Sequence, residues 1–202
     1  MSQRIEPRPV ALGIKSHTGW AAVVALAGPV AAAEVVAKRR IDVATSFAVG
    51  AVYHKGQELP FERAESLVRS SEEKFERLAR EALAELTADL RAADCEAVAS
   101  GIVAGEGKPL PPLASILKSH ALVHAAEGDL YRRVFARASE ACRIPVVSIP
   151  AKELERRTAG ALRIAPSELA TRVVALGKAY GPPWARDQKE AAMAAWIALA
   201  TR

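Results

Sequence analysis

The chain has 202 residues, of which 50% are hydrophobic, 25% charged and 5% aromatic, with a formal net charge of +5. These values exclude a disordered chain, a collagen-like repeat and a disulfide-stapled miniprotein. A single domain over residues 1–202 is expected, with roughly 70% of the unfolded-chain surface buried in a core of Ala, Val, Leu and Ile. With so few aromatics, no platform for stacking single-stranded bases is visible.

The charge is unevenly spread. Residues 1–60 carry seven basic and four acidic side chains, 61–107 six and eleven, and 108–202 fifteen and eight. The basic final half suits a polyanion such as DNA or RNA, or a solvated surface. Cys95 and Cys142 form no CxxC pair, so two buried thiols in a reducing cytoplasm are expected. The first fifteen residues lack the apolar core of a secretory signal. No apolar run reaches the length of a membrane span.

Val10–Ile14 and Trp20–Leu26 read as a hairpin across Lys-Ser-His-Thr-Gly. After Gly28-Pro29, Val30–Val43 reads as a third strand, placed at an edge by Lys38-Arg39-Arg40. Residues 44–60 read as a connector. From Phe61 to about Ala92 apolar residues recur at helical spacing among fourteen charged ones, an amphipathic helix of roughly 45 Å. Glu96–Ala104 reads as a buried fourth strand and Gly105-Glu106-Gly107 with three prolines as a loop. Leu113–Cys142 is expected to be a second long helix and Ile144–Ile149 a fifth strand. Helices follow over Glu153–Leu162, Pro166–Leu176 and Asp187–Ala200.

The order describes an α/β protein: a five-stranded mixed sheet, three antiparallel strands then two reached by helical crossovers, with helices on both faces. That is the arrangement of the ribonuclease H-like fold. Within it, LGIKSHTGWAAVVAL resembles the first hairpin of the Holliday-junction resolvase (RuvC-like) type. Asp187-Gln188-Lys189-Glu190, opening an Ala-rich last helix, resembles that family's acid-x-x-acid pair. The resemblance spans nearly the whole chain and implies a magnesium- or manganese-dependent nuclease acting on structured nucleic acid. Asp187 and Glu190 would then hold metal, sharing one helix face at i, i+3.

The first-strand acid of the family falls at Lys15, and the fourth-strand acid falls near Ala99–Gly101, at Ser100. A two-ion clamp needs several bridging anions. A lysine ammonium can instead occupy a metal's place and pair with Asp187 and Glu190. The expected centre is therefore Lys15, Ser100, Asp187 and Glu190, a degenerate one that suits a pseudoenzyme.

His120, His124 and Glu127 share a helix face at i, i+4 and i+7, with Asp129 just beyond. They are competent for one divalent ion, or are partly buried polar residues. If cleavage persists, Glu127 or His124 is expected to join Asp187 and Glu190 on the metal. Arg132, Arg133, Arg186 and Lys189 are candidate phosphate contacts, with His17 beside them in a polar turn. Trp184 reads as a packing anchor for the last helix. The leading expectation is a cytoplasmic nucleic-acid-binding protein, without a membrane segment, that retains or has lost nuclease activity. The alternative is a non-catalytic scaffold acting as a homodimer or with a protein partner.

Overall fold

The apolar alternation of the first residues continues further than the sequence pattern suggests. In the computed structural model, which describes residues 6–105 and 109–201, strand β1 runs Arg8–His17 and β2 runs Trp20–Ala27. Their antiparallel ladder extends from Val10↔Ala27 to His17↔Trp20. Lys15, Ser16 and His17 thus belong to the strand, not to the expected turn, and Thr18-Gly19 alone reverses the chain. Strand β3, Glu34–Asp42, begins later than expected because Val30–Ala32 forms a 3-10 turn after Pro29. It pairs with β2 at the sheet edge.

The expected connector contains two short helices, α1 (Phe47–Gly50) and α2 (Val52–Gln57). Ser46 caps the first by accepting the Val49 N–H. Helix α3 (Phe61–Ala92) follows its apolar stripe, burying Ala64, Val68, Phe75, Ala79, Leu83, Leu86 and Leu90. Strand β4 (Cys95–Ala104) lies parallel to β1. Of the loop expected next, Glu106 and Gly107 lie outside the described residues.

The second long helix is broken into α4 (Leu113–Ile116) and α5 (His120–Ala141). The break comes where the Ser119 side chain accepts the Leu122 N–H and starts a new helix. Strand β5 (Val146–Pro150) lies parallel to β4. Helices α6 (Leu154–Leu162), α7 (Pro166–Tyr180) and α8 (Arg186–Ala200) complete the order.

The strand order β3-β2-β1-β4-β5 divides the core into two layers. On one face Val10, Leu12 and Ile14 pack with Phe75, Leu83, Leu130 and Phe135 of α3 and α5. On the other, Val24, Leu26, Val103 and Ile149 meet α6, α7 and the alanine face of α8. Helix α8 lies directly on the strands because Gly13 and Gly101 present no side chain to it. A Cβ at Gly13 would stand 1.8 Å from the Ala191 carbonyl oxygen, and one at Gly101 2.2 Å from that of Ala194. Among the described residues, no helix is long and apolar enough to cross a membrane.

This contact predicts that Gly13→Ala and Gly101→Ala each destabilise the protein by about 2 kcal/mol or more, because backbone must move. Gly160→Ala, in α6 with nothing within 4 Å of the new Cβ, should instead be neutral or stabilise by about 0.5–1 kcal/mol. Urea denaturation of the three variants checks the contrast.

Candidate functional site

Residues two apart on a strand share a face, so Lys15 and His17 both point to the side of the sheet that carries α8. Helix α8 opens above them. The Gln188 side chain accepts the Ala185 N–H at 3.0 Å, and Asp187 lies in the first turn, where the helix dipole favours an acid. One turn then presents both carboxylates to β1. Glu190 Oε2 is 2.7 Å from Lys15 Nζ, and Asp187 Oδ1 is 2.8 Å from His17 Nε2. Arg186 Nε donates to Glu190 Oε1 at 2.7 Å, so both oxygens of Glu190 are engaged by cations.

Burial alone would raise the Glu190 carboxyl. Hydrogen bonds and charge from Lys15 and Arg186 outweigh it and hold the group below the ordinary carboxylate range. His17 stacks on Trp20, with ring centroids 4.5 Å apart and planes inclined by 16°. The Arg40 guanidinium sits 3.8 Å from the Trp20 ring centroid, and its Nε donates to Asp42 at 2.9 Å. The exposed tip of the sheet is therefore lined by Lys15, His17, Trp20, Arg40, Asp187 and Glu190.

Ser100 does not join them. It pairs across the ladder with Leu12, which places it on the α5 face, fully buried, with the Ser139 hydroxyl donating to it at 3.3 Å. The β4 residues that face α8 are Ala99, Gly101, against the helix backbone, and buried Val103. Glu127 and His124 also lie with α5, on the opposite side of the sheet from α8, so neither reaches Asp187 or Glu190. Glu127 is 2% exposed and accepts the His54 N–H at 3.3 Å.

The candidate phosphate contacts separate as well. Arg133 is held by Glu72 and Asp129, and the neighbouring Arg137 by Glu72 and Glu76. Arg132 lines a cleft of about 540 Å³ between α5 and β4–β5, where desolvation lowers its pKa despite Asp129. Lys189 turns towards α6 and α7, beside Glu155 and Met193. Arg186 and His17 alone of the five lie at the Asp187–Glu190 site. Trp184 packs beneath α7, its indole N–H donating to the Val173 carbonyl at 2.9 Å.

Two bridged divalent ions need several anionic oxygens converging without competing cations. Here the converging acids are Asp187 and Glu190, each already paired with a basic side chain. This donor set does not fit a two-ion centre. What it forms is a chain of charge-assisted hydrogen bonds whose donors face solvent at one end. The Asp187 partner for His17 lies 170 positions away in sequence and was not visible in the local pattern around the turn. Strand alternation beyond Ile14 was the signal that could have placed His17 beside Lys15.

A five-stranded mixed sheet in this order, with helices on both faces, defines the ribonuclease H-like class of fold. No protein-family model and no curated protein sequence matches the chain. Among solved structures it is similar to Thermus thermophilus RuvC in complex with a Holliday junction substrate, with a TM-score of 0.56 and 12% identity over 95% of this chain and 93% of that one. A second Thermus thermophilus RuvC structure matches with a TM-score of 0.51 and 14% identity, over 93% of this chain and 92% of that one. The fold is thus RuvC-like.

The Glu190 pairing sets a pH dependence. A carboxyl whose folded-state pKa is depressed contributes stability above its unfolded value and loses it as pH falls through the folded value. Wild type should therefore exceed Glu190→Gln by about 1–3 kcal/mol near neutral pH. The margin should close progressively below about pH 4.5, where the unfolded carboxyl titrates. Denaturation curves of both proteins from pH 7 to pH 3 measure it, and a margin that grows on acidification would refute the pairing.

Proposed function

We propose that the chain, working as one domain, binds structured DNA or RNA at the Lys15–Glu190 end of the sheet and does not cleave it by two-metal hydrolysis. The observation that carries this reading is the 2.7 Å contact between Lys15 Nζ and Glu190 Oε2. It sets an ammonium among the carboxylates that the fold's nucleases would use for metal. Such an ammonium offsets the Glu190 charge without a metal and leaves a site that phosphate oxygens can approach. The RuvC-like fold supports the class of partner, since one neighbour of that fold is held on a Holliday junction substrate.

Binding in this reading proceeds by exchange. Phosphate oxygens replace carboxylates on Lys15, His17, Arg40 and Arg186, the last with 87% of its side chain exposed. Exposed Arg163, just past α6, and Arg172 and Lys178 of α7 are further candidate contacts on the side of the sheet that carries α8. With the aromatic Trp20 already covered by His17 and Arg40, duplex or junction backbones fit better than unpaired bases.

Fluorescence anisotropy with a labelled four-way DNA junction and a structured RNA, over 50–300 mM salt, tests the binding. Affinity should fall with salt, and Arg186→Ala should weaken it and lower the log–log slope by about one. Gel assays with magnesium or manganese should show no cleavage above Asp187→Ala/Glu190→Ala. Metal-dependent cleavage abolished in that double variant would restore the nuclease reading. Salt-indifferent or absent binding would overturn the nucleic-acid reading in favour of the scaffold.

A further inference from the structure

The chain has four histidines, and three of them converge away from the site above. His54 comes from α2, and His120 and His124 from one face at the start of α5. One ring nitrogen of each lies within 4.8 Å of the other two. His120 Nε2 and His124 Nε2 are 3.0 Å apart. The rings stand edge to face, with centroids 4.4, 4.7 and 5.4 Å apart and planes inclined by 81°, 71° and 80°. In a tetrahedral shell with metal–nitrogen bonds of about 2.0–2.1 Å, ligand nitrogens lie about 3.3 Å apart. The trio is within small side-chain rotations of that geometry.

A second, independent feature points the same way. The buried Glu127 carboxylate accepts the backbone N–H of His54 and has Oε2 2.9 Å from His54 Nδ1. That nitrogen is itself buried and lies off the line of a hydrogen bond. A carboxylate against one nitrogen of an imidazole is the usual device for orienting a histidine ligand and raising its basicity. A carboxylate withdrawn from water also needs compensating positive charge. A divalent cation on the three imidazoles would supply it. His120 and His124 are exposed, which leaves a path for entry and an open fourth position for water.

We propose that His54, His120 and His124 form a mononuclear site for a divalent transition-metal ion of the zinc class, with Glu127 as the carboxylate that orients His54. Imidazole donors select zinc, cobalt, nickel or copper over magnesium and calcium, which prefer oxygen. The ion would staple α2 to α5. It would thereby fix the segment that Tyr131 also anchors through its hydroxyl, which donates to the Gly50 carbonyl at 2.8 Å.

The test uses the full chain without a histidine tag, stripped with chelator and titrated with Zn²⁺ by calorimetry and with Co²⁺ by visible absorption. The expected result is one equivalent bound, intense tetrahedral cobalt bands and a raised melting temperature. His120→Ala and His124→Ala, at exposed positions that folding tolerates, should each weaken binding at least about tenfold, and Glu127→Gln by about 10–100-fold. Asp187→Ala/Glu190→Ala should bind as wild type, and excess Mg²⁺ should not compete. Absence of one-equivalent binding, or binding that survives His120→Ala/His124→Ala with circular dichroism unchanged, would overturn the proposal.

Discussion

Everything on one side of this sheet depends on backbone meeting backbone. Helix α8 rests on β1 and β4 with its carbonyls against Gly13 and Gly101, and its alanines at 191, 192, 194, 195 and 198 are buried. Small residues on both partners bring the axis of the helix close to the strands, and dispersion contacts rise accordingly. The first turn inherits that closeness. It is why two short acidic side chains reach Lys15 and His17 directly, and why Glu190 is only 13% exposed although it lies near the end of its helix.

Charge is then organised by locality. At the tip of the sheet, acids of α8 are matched by bases of β1. On the far flank, the acids of α3 take up Arg133 and Arg137 of α5, so the acidic middle of the chain and part of its basic final half cancel in space. Exposed pairs of this kind contribute little to stability, about 0–1 kcal/mol each. Their larger effect is to take Arg133 and Arg137 out of the set of basic side chains free to meet an anion. The sequence-level surplus in residues 108–202 therefore overstates what α5 offers a polyanion.

The architecture was legible from periodicity because the elements are long and patterned: α3 is read almost to the residue, and the order of strands follows from crossover length. Boundaries failed where local chemistry outweighed pattern. Polar Lys15, Ser16 and His17 looked like a turn, yet the ladder to Ala22, Ala21 and Trp20 keeps them extended. Ser119, between Lys118 and His120, caps a new helix within the span expected to be one. The pairing of Lys15 with Glu190 was readable once the fold was in view, since both positions carry the resemblance. Ser100 was misplaced because one position in strand register separates the two faces of the sheet. His54 was invisible as a site residue: it lies on a six-residue helix inside a stretch with no period, some 66 positions from its nearest histidine partner in sequence.

Gly101 has a longer reach than packing. Aspartate or glutamate there begins with the same Cβ that would stand 2.2 Å from the Ala194 carbonyl oxygen, so position 101 cannot carry an acid without lifting α8. Lifting α8 would carry Asp187 and Glu190 away from β1 at the same time. Position 101 and the contacts of Lys15 and His17 are thus coupled through the seat of one helix.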